Sequence, residues 1–142
     1  MTLLFTLLIL LAAPAPSSLD QVKAEPNPEH RAKAAIDYAS VAERNAETAY
    51  SRGEMKNVEA ELRNMQQSLD LAQDSLTASG KTPGRNPGPY KYAEMHSREL
   101  LIRLGDLEQK MDASERPPVE TVKAKVQEIH DAWFEGIMGR KH

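Results

Sequence analysis

The sequence predicts an all-α fold: an up-down-up-down four-helix bundle made of two long helical hairpins and preceded by a signal peptide. Four segments of similar length repeat apolar residues every three or four positions, which is the spacing of one helix face. The prolines fall outside these stretches or at their first turns, where they do not interrupt a helix. Cysteine is absent, so burial of the apolar stripes must stabilise the fold without disulfides.

The first predicted hairpin joins a helix over residues 28–52 to a helix over residues 54–79. Asn27 is the predicted N-cap of the first helix, and Gly80 follows the second, where a left-handed residue commonly ends a helix. The two apolar stripes consist of Ala32, Ala35, Ala39, Ala42, Ala46 and Ala49, and of Met55, Val58, Leu62, Met65, Leu69, Ala72 and Leu76. Because alanine cannot fill a wide gap, we expect the second helix to supply the volume between them.

The second predicted hairpin joins a helix over residues 89–113 to a helix over residues 117–138. Its stripes are Ala93, Ser97, Leu100, Leu104, Leu107 and Met111, and Val119, Val122, Val126, Ile129, Trp133 and Ile137. A repeat close to 3.5 residues favours shallow, coiled-coil-like crossing of helices. The turns inside each hairpin are short, whereas the connection over residues 80–90 is longer and rich in proline and glycine. An up-down-up-down bundle is the simplest way to bury all four stripes together.

The N-terminus has a different character. Residues 3–13 are an uncharged, mostly apolar run that is too short to span a bilayer, which needs about 20 residues, but matches the apolar region of a secretory signal. We therefore predict a signal peptide over residues 1–24, a bundle domain over residues 25–142, and export to the bacterial periplasm or the extracellular space. Cleavage after Ser17 or after Ala24 fits the small residues, and the later position is preferred. The alternative is a membrane anchor that stays attached.

Two short motifs carry a resemblance to known proteins. The stretch RELLIRL from Arg98 to Leu104, together with GIMG from Gly136 to Gly139, resembles a set of uncharacterised exported bacterial helical-bundle proteins. The resemblance implies export and a helical bundle. No activity is attached to that set.

Signatures of catalysis are absent. The sequence contains no H-E-x-x-H, no G-x-S-x-G and no glycine-rich phosphate loop. The Glu-x-x-His pair of carboxylate-metal bundles is also missing, because Asn27, Ala93 and Gln127 stand three residues before the histidines His30, His96 and His130. We predict that the protein is not an enzyme and has no cofactor. Its net charge of −3 argues against nucleic acid as a partner.

The alternative prediction is a metal- or haem-binding periplasmic bundle. An exported chain of four helices with a proline-rich central loop resembles the periplasmic b-type cytochrome bundles, which hold haem between a Met near the start of the first helix and a His near the end of the last. Here the first helix contains no Met, and His130 lies about two turns before the end of the fourth. His96 and His130 are expected at the same height on neighbouring helices, which makes them the candidate metal ligands.

The predicted function is binding or spacing of envelope macromolecules through a basic tip. In the predicted topology, one end collects the start of the first helix, the loop over residues 80–90 and the end of the fourth helix. The candidate partner-binding residues at this end are Lys81, Arg85, Lys91, Arg140 and Lys141. The expected partner is an anionic envelope component or a protein that the sequence does not identify. A homodimer, in which hairpins pair between two chains, stays open as well.

Overall fold

The computed structural model describes residues 18–139, and over this range the chain is an all-helical bundle without a β-strand. The predicted helical fold class is therefore confirmed. The five helices are α1 (Leu19–Lys23), α2 (Pro28–Ser51), α3 (Met55–Ala78), α4 (Pro87–Lys110) and α5 (Pro117–Met138). None of these helices is both long enough and apolar enough to cross a membrane.

Local chemistry explains where the long helices begin and end. The Asn27 side chain accepts hydrogen bonds from the backbone N–H groups of Glu29 and His30, at 3.0 and 3.1 Å, and so caps α2 as predicted. Gly80 and Gly139 follow α3 and α5 with φ of 71° and 68°. This left-handed backbone conformation is unfavourable for residues that carry a Cβ atom. The third long helix, α4, starts two residues earlier than predicted, because a proline is tolerated in the first helical turn.

The short helix α1 was not predicted. The Ser18 hydroxyl accepts a hydrogen bond from the Gln21 N–H at 3.2 Å, and Val22 is only 1% exposed. Arg31 links this segment to α2 by donating to the Glu25 carbonyl at 3.0 Å. Because α1 spans five residues, it is too short to show an apolar period in the sequence.

The predicted stripes form most of the core, which also contains Val22, Ile36, Tyr38 and Tyr90. All predicted stripe residues are buried except Met55 and Ile137, which pack against the core while partly exposed. The alanine face of α2 lets α3 approach closely, and the Ser68 hydroxyl donates across the interface to the Ala35 carbonyl at 2.6 Å. Leu62 of α3, fully buried, is one of the larger side chains that fill the space opposite alanine.

The two hairpins pack with α2 against α4 and α3 against α5. The Tyr50 hydroxyl at the end of α2 donates to the Lys110 carbonyl at the end of α4, at 2.9 Å. The loop between α3 and α4 lies against α5, since a Cβ atom added to Gly136 would be 2.9 Å from Cγ of Pro83. The loop thus gathers the end of α3, the start of α4 and the end of α5.

Candidate functional site

One end of the bundle holds the predicted partner-binding residues that the structure describes. Lys81 forms an ion pair with Glu29 near the start of α2, and its carbonyl accepts a hydrogen bond from the Tyr90 hydroxyl at 2.8 Å. Arg85 and Lys91 are exposed on the loop and on the first turns of α4. Arg140 and Lys141, which were also predicted here, lie outside the described residues.

Lys33, near the start of α2, belongs to the same end, as its position in the sequence predicts. Lys33 of α2 is exposed and lies over the ring of Tyr92, with its Nζ atom 5.6 Å from the ring centroid. An open groove of about 310 Å³ lies between α2 and the start of α4. Apolar residues such as Ala32 and Ile36 line it, and Lys33 lies at its edge. From here on, the basic end means Lys33, Lys81, Arg85 and Lys91.

The two candidate metal ligands contact different neighbours. His96 packs on Tyr92, with ring centroids 4.2 Å apart, and lines a groove between α2 and α4. His130 lies between α4 and α5, where its Nε2 atom is 3.1 Å from Glu94 Oε1 and its Nδ1 atom is 3.2 Å from Asp131 Oδ1. Within residues 18–139 no group of three or more His, Cys, Asp or Glu side chains is arranged to hold a metal ion.

A charged cluster that the sequence analysis missed lies at the interface of α2 and α4. Glu43 is 0% exposed, and its Oε2 atom accepts a hydrogen bond from Arg103 Nη1 at 3.1 Å. The same guanidinium lies 3.6 Å from the Glu47 carboxylate and 3.8 Å from the Glu99 carboxylate. One arginine of α4 therefore bridges carboxylates from both helices.

Burial changes the protonation of Glu43. Removal from water raises the pKa of this carboxyl group to about 7, the Arg103 hydrogen bond opposes the rise, and nearby Glu47 adds to it. Among the described residues, no group donates a hydrogen bond to its Oε1 atom. The hydrogen bond to Glu43 is also the main reason that the pKa of Arg103 is raised. The cluster can therefore exchange a proton near neutral pH while the arginine stays charged.

A second series of residues with heptad spacing in α2 places Glu43 at the interface with α4. Ile36, Glu43 and Tyr50 are spaced seven residues apart, beside the alanine stripe and on the side that faces α4. Ile36 is buried, and Tyr50 reaches the end of α4 through its hydroxyl. The position of Glu43 in this series is the signal that could have identified it as an interface residue.

The exposed large hydrophobic side chains all lie on one hairpin. In the part of the chain that the structure describes they are Met95 and Ile102 of α4 and Phe134 and Met138 of α5. Met95 is 49% exposed and Ile102 is 63% exposed, and their spacing of seven places both on the outer face of α4. These exposed apolar side chains stand among charged residues, such as Arg98 between Met95 and Ile102.

Comparison with known proteins adds no family to these features. No family model, no curated protein and no solved structure matches the chain. The fold of residues 18–139 places this protein in the class of all-helical bundles.

Proposed function

We propose that this chain is a non-enzymatic, exported helical bundle that binds an anionic component of the bacterial envelope through its basic end. The observation that supports this proposal most directly is the exposure of Lys33, Arg85 and Lys91 around one end. A nearby acid, Glu29, is already neutralised by Lys81. Uncompensated positive charge concentrated in one region attracts anionic surfaces even when the net charge is negative.

At the far end of the bundle, Glu115 and Arg116 form hydrogen bonds with the backbone of the turn between α4 and α5. The Glu115 carboxylate accepts a hydrogen bond from the Asp112 N–H at 2.9 Å and lies 3.2 Å from the Tyr50 hydroxyl oxygen. Arg116 donates to the Glu108 and Met111 carbonyls, at 3.1 and 3.0 Å. Because these groups stabilise the turn between α4 and α5, they contribute less to binding than the exposed cations of the basic end. The exposed Arg52 and Lys56 of the far end flank the exposed acid Glu54 in the sequence.

In this proposal the four long helices form one up-down-up-down bundle of two hairpins. The parallel course of α2 and α4 supports it, because Tyr92 bonds to Asp37 near their starts and Tyr50 bonds to Lys110 at their ends. The two short turns then share one end, and the longer loop and the basic end share the other.

Export also belongs to the proposal, with cleavage after Ser17 rather than after Ala24, the position that the sequence alone favours. The packing of α1 supports the earlier position, since cleavage after Ala24 would remove the buried Val22 and the capping Ser18. We expect mass spectrometry of the exported protein to find a chain that begins at Ser18. An intact N-terminus in a membrane fraction would instead indicate a retained anchor.

Co-sedimentation tests the binding proposal. The mature protein is mixed at low salt with vesicles of anionic phospholipid and, separately, with cell-wall sacculi. We expect salt-sensitive binding to at least one of them, because charges exposed to solvent are screened over about 8 Å at physiological ionic strength. Replacing Lys81 and Arg85 with Gln should weaken binding by roughly tenfold or more, because the loss of Arg85 removes an exposed cation and the loss of Lys81 leaves Glu29 unneutralised. Each unit of charge near an anionic surface contributes about 1 kcal/mol.

The matched control removes the same charge at the far end. Arg52 and Lys56 are exposed at the turn between α2 and α3, so Arg52→Gln with Lys56→Gln should leave binding nearly unchanged. Lys91 is kept in both of these binding variants because it also lies on the outer face of α4. Equal loss of binding in both double variants would show that net charge, and not the basic end, governs the interaction. No binding to either target would reject the proposal for both.

A further inference from the structure

The outer face of α4 presents a charged and apolar surface that no other helix of the described chain covers. Along this face, Lys91, Met95, Arg98, Ile102 and Asp106 follow one another at steps of three and four, and all are exposed. Exposed apolar residues that recur on one helix face, with charges between them, are typical of a helix that packs against a partner.

The pattern of charged and apolar residues on this face is complementary to the same pattern on a second copy that runs in the opposite direction. When a second α4 is laid antiparallel over the first, with the centre between Arg98 and Glu99, each basic residue meets an acid. Lys91 then lies opposite Asp106 of the second copy, and Arg98 lies opposite Glu99 of the second copy. The apolar pair matches in the same register, because Met95 lies opposite Ile102 of the second copy. Every contact occurs twice, as a two-fold interface requires.

We propose that the protein forms an antiparallel two-fold homodimer through the outer face of α4. The charge pattern selects this partner and this direction. In a parallel pair, Lys91 would face Lys91 and Asp106 would face Asp106, and like charges at close range are unfavourable. The residues are also available: within residues 18–139 neither Lys91 nor Asp106 has an ion-pair partner.

The ion pairs already present on this face do not prevent association. Arg98 lies 3.4 Å from Glu94, and Glu99 lies 3.8 Å from Arg103, both within one helix. Arg98 and Glu99 are about 60% exposed in these pairs. Exposed pairs of this kind contribute at most about 1 kcal/mol, so they can be exchanged for pairs between two copies.

The flanking helix extends the surface. Phe134 and Met138 of α5 are 40% and 57% exposed. Phe134 stacks on His130, which bonds to Glu94, the residue beside Met95. The exposed apolar residues of the two helices therefore lie on adjoining faces of one hairpin. A helix of 24 residues is about 36 Å long, so the outer face of α4, with part of α5 beside it, offers an extended contact surface.

Sedimentation equilibrium on the mature chain tests this inference. We expect the unmodified protein to reach twice the mass of one chain between about 1 µM and 1 mM, a range that covers weak to moderate association. Ile102→Asp should raise the dimer dissociation constant at least tenfold, because it places an acid against Met95 of the second copy. Ala124→Asp, which adds the same charge on an exposed site of α5, is the control and should not change it.

A charge swap tests the register and the direction. Lys91→Glu alone and Asp106→Lys alone should each weaken the dimer, because each places like charges opposite one another twice. The combined variant should restore dimerisation, since the pairs re-form with reversed sign. Circular dichroism should show the same melting behaviour for the monomeric forms of all variants. A monomer throughout the concentration range, or single variants whose defects add in the combined one, would overturn the inference.

Discussion

At the scale of single residues, Glu43 makes the clearest prediction because it couples folding to pH. Its pKa rises from an ordinary value of 4.5 to about 7 on folding, chiefly through burial. The folded chain therefore binds this proton more tightly than the unfolded chain. The stabilisation is fully present below pH 4.5 and is lost as pH rises through 7. We expect a loss on the order of 1 to 3 kcal/mol across that window.

The Glu43→Gln variant isolates this effect. Gln cannot titrate, so the variant should lack the part of the pH dependence that Glu43 contributes, and its stability relative to the unmodified chain should increase between pH 5 and pH 8. Urea unfolding at both pH values measures the difference. Glu59→Gln is the control, because it makes the same chemical change at a residue of α3 that is exposed to solvent. A stability difference that is equal at the two pH values would contradict the assignment.

Two helical glycines provide a second prediction at this scale. A Cβ atom at Gly105 of α4 would have no atom within 4 Å, whereas at Gly136 of α5 it would lie 2.9 Å from Pro83 Cγ. Gly105→Ala should therefore raise the free energy of unfolding by about 0.5 to 1 kcal/mol. Gly136→Ala gains the same helix propensity but displaces the loop, so we expect no net gain. Equal gains in urea unfolding would mean that the loop does not rest on α5.

The residues that the sequence predicted least well are those whose role depends on a neighbour. Leu69 and Leu104 were predicted from one apolar stripe each, and both are fully buried. Glu43 has no such signal of its own: its burial depends on Arg103, which is 60 residues away in the chain. The partners in an ion pair are equally hard to predict from spacing within one helix. Glu29 could pair with Lys33 on its own helix, yet it pairs with Lys81 of the loop.

At the scale of elements, α1 determines a measurable part of the stability. Val22 is 1% exposed, and burial of a valine side chain contributes about 1.5 to 3 kcal/mol. A chain that begins at Glu25 should therefore unfold at a lower urea concentration than one that begins at Ser18. Val22→Ser in the longer chain should reproduce most of the loss. If the two chains unfold together, α1 does not contribute to the folded bundle.

The long helices were predictable because several local signals agree at each of them. Proline stands at the start of α2, α4 and α5, and each of these helices also has a continuous apolar stripe. The end of α4 was placed three residues too late, since the apolar Met111 continues the stripe. In the structure Met111 is buried but has extended backbone, with φ −89° and ψ 146°. A period in the sequence reports burial and does not by itself report where helical backbone ends.

At the scale of the whole molecule, the order of the helices around the core had no signal in the sequence. All four stripes are compatible with any neighbour, and the hairpin turns fix only two of the contacts. The remaining contacts depend on specific side chains, such as Tyr50 reaching Lys110. The outer face of α4 was missed for a related reason. Arg98, Glu99 and Asp106 each have an opposite charge four residues away on the same helix, and this spacing indicates solvent exposure when one chain is considered alone.

The two proposals together make a prediction about the assembled protein. An antiparallel dimer through α4 places its two basic ends at opposite ends of the assembly, because the loop lies at the start of each α4. If the basic end binds anionic vesicles, the dimer should bind two vesicles at once and cross-link them, which appears as turbidity that added salt reverses.

The variants separate the two contributions. Ile102→Asp should still sediment with anionic vesicles but should not make them turbid, because a monomer has one basic end. The variant with Lys81→Gln and Arg85→Gln should form dimers and yet bind vesicles weakly. Ala124→Asp and the pair Arg52→Gln with Lys56→Gln should behave like the unmodified protein in both measurements. Turbidity that persists in Ile102→Asp would show that bridging arises from a second anionic-lipid site on one chain, and the dimer would then have no part in spacing the two surfaces.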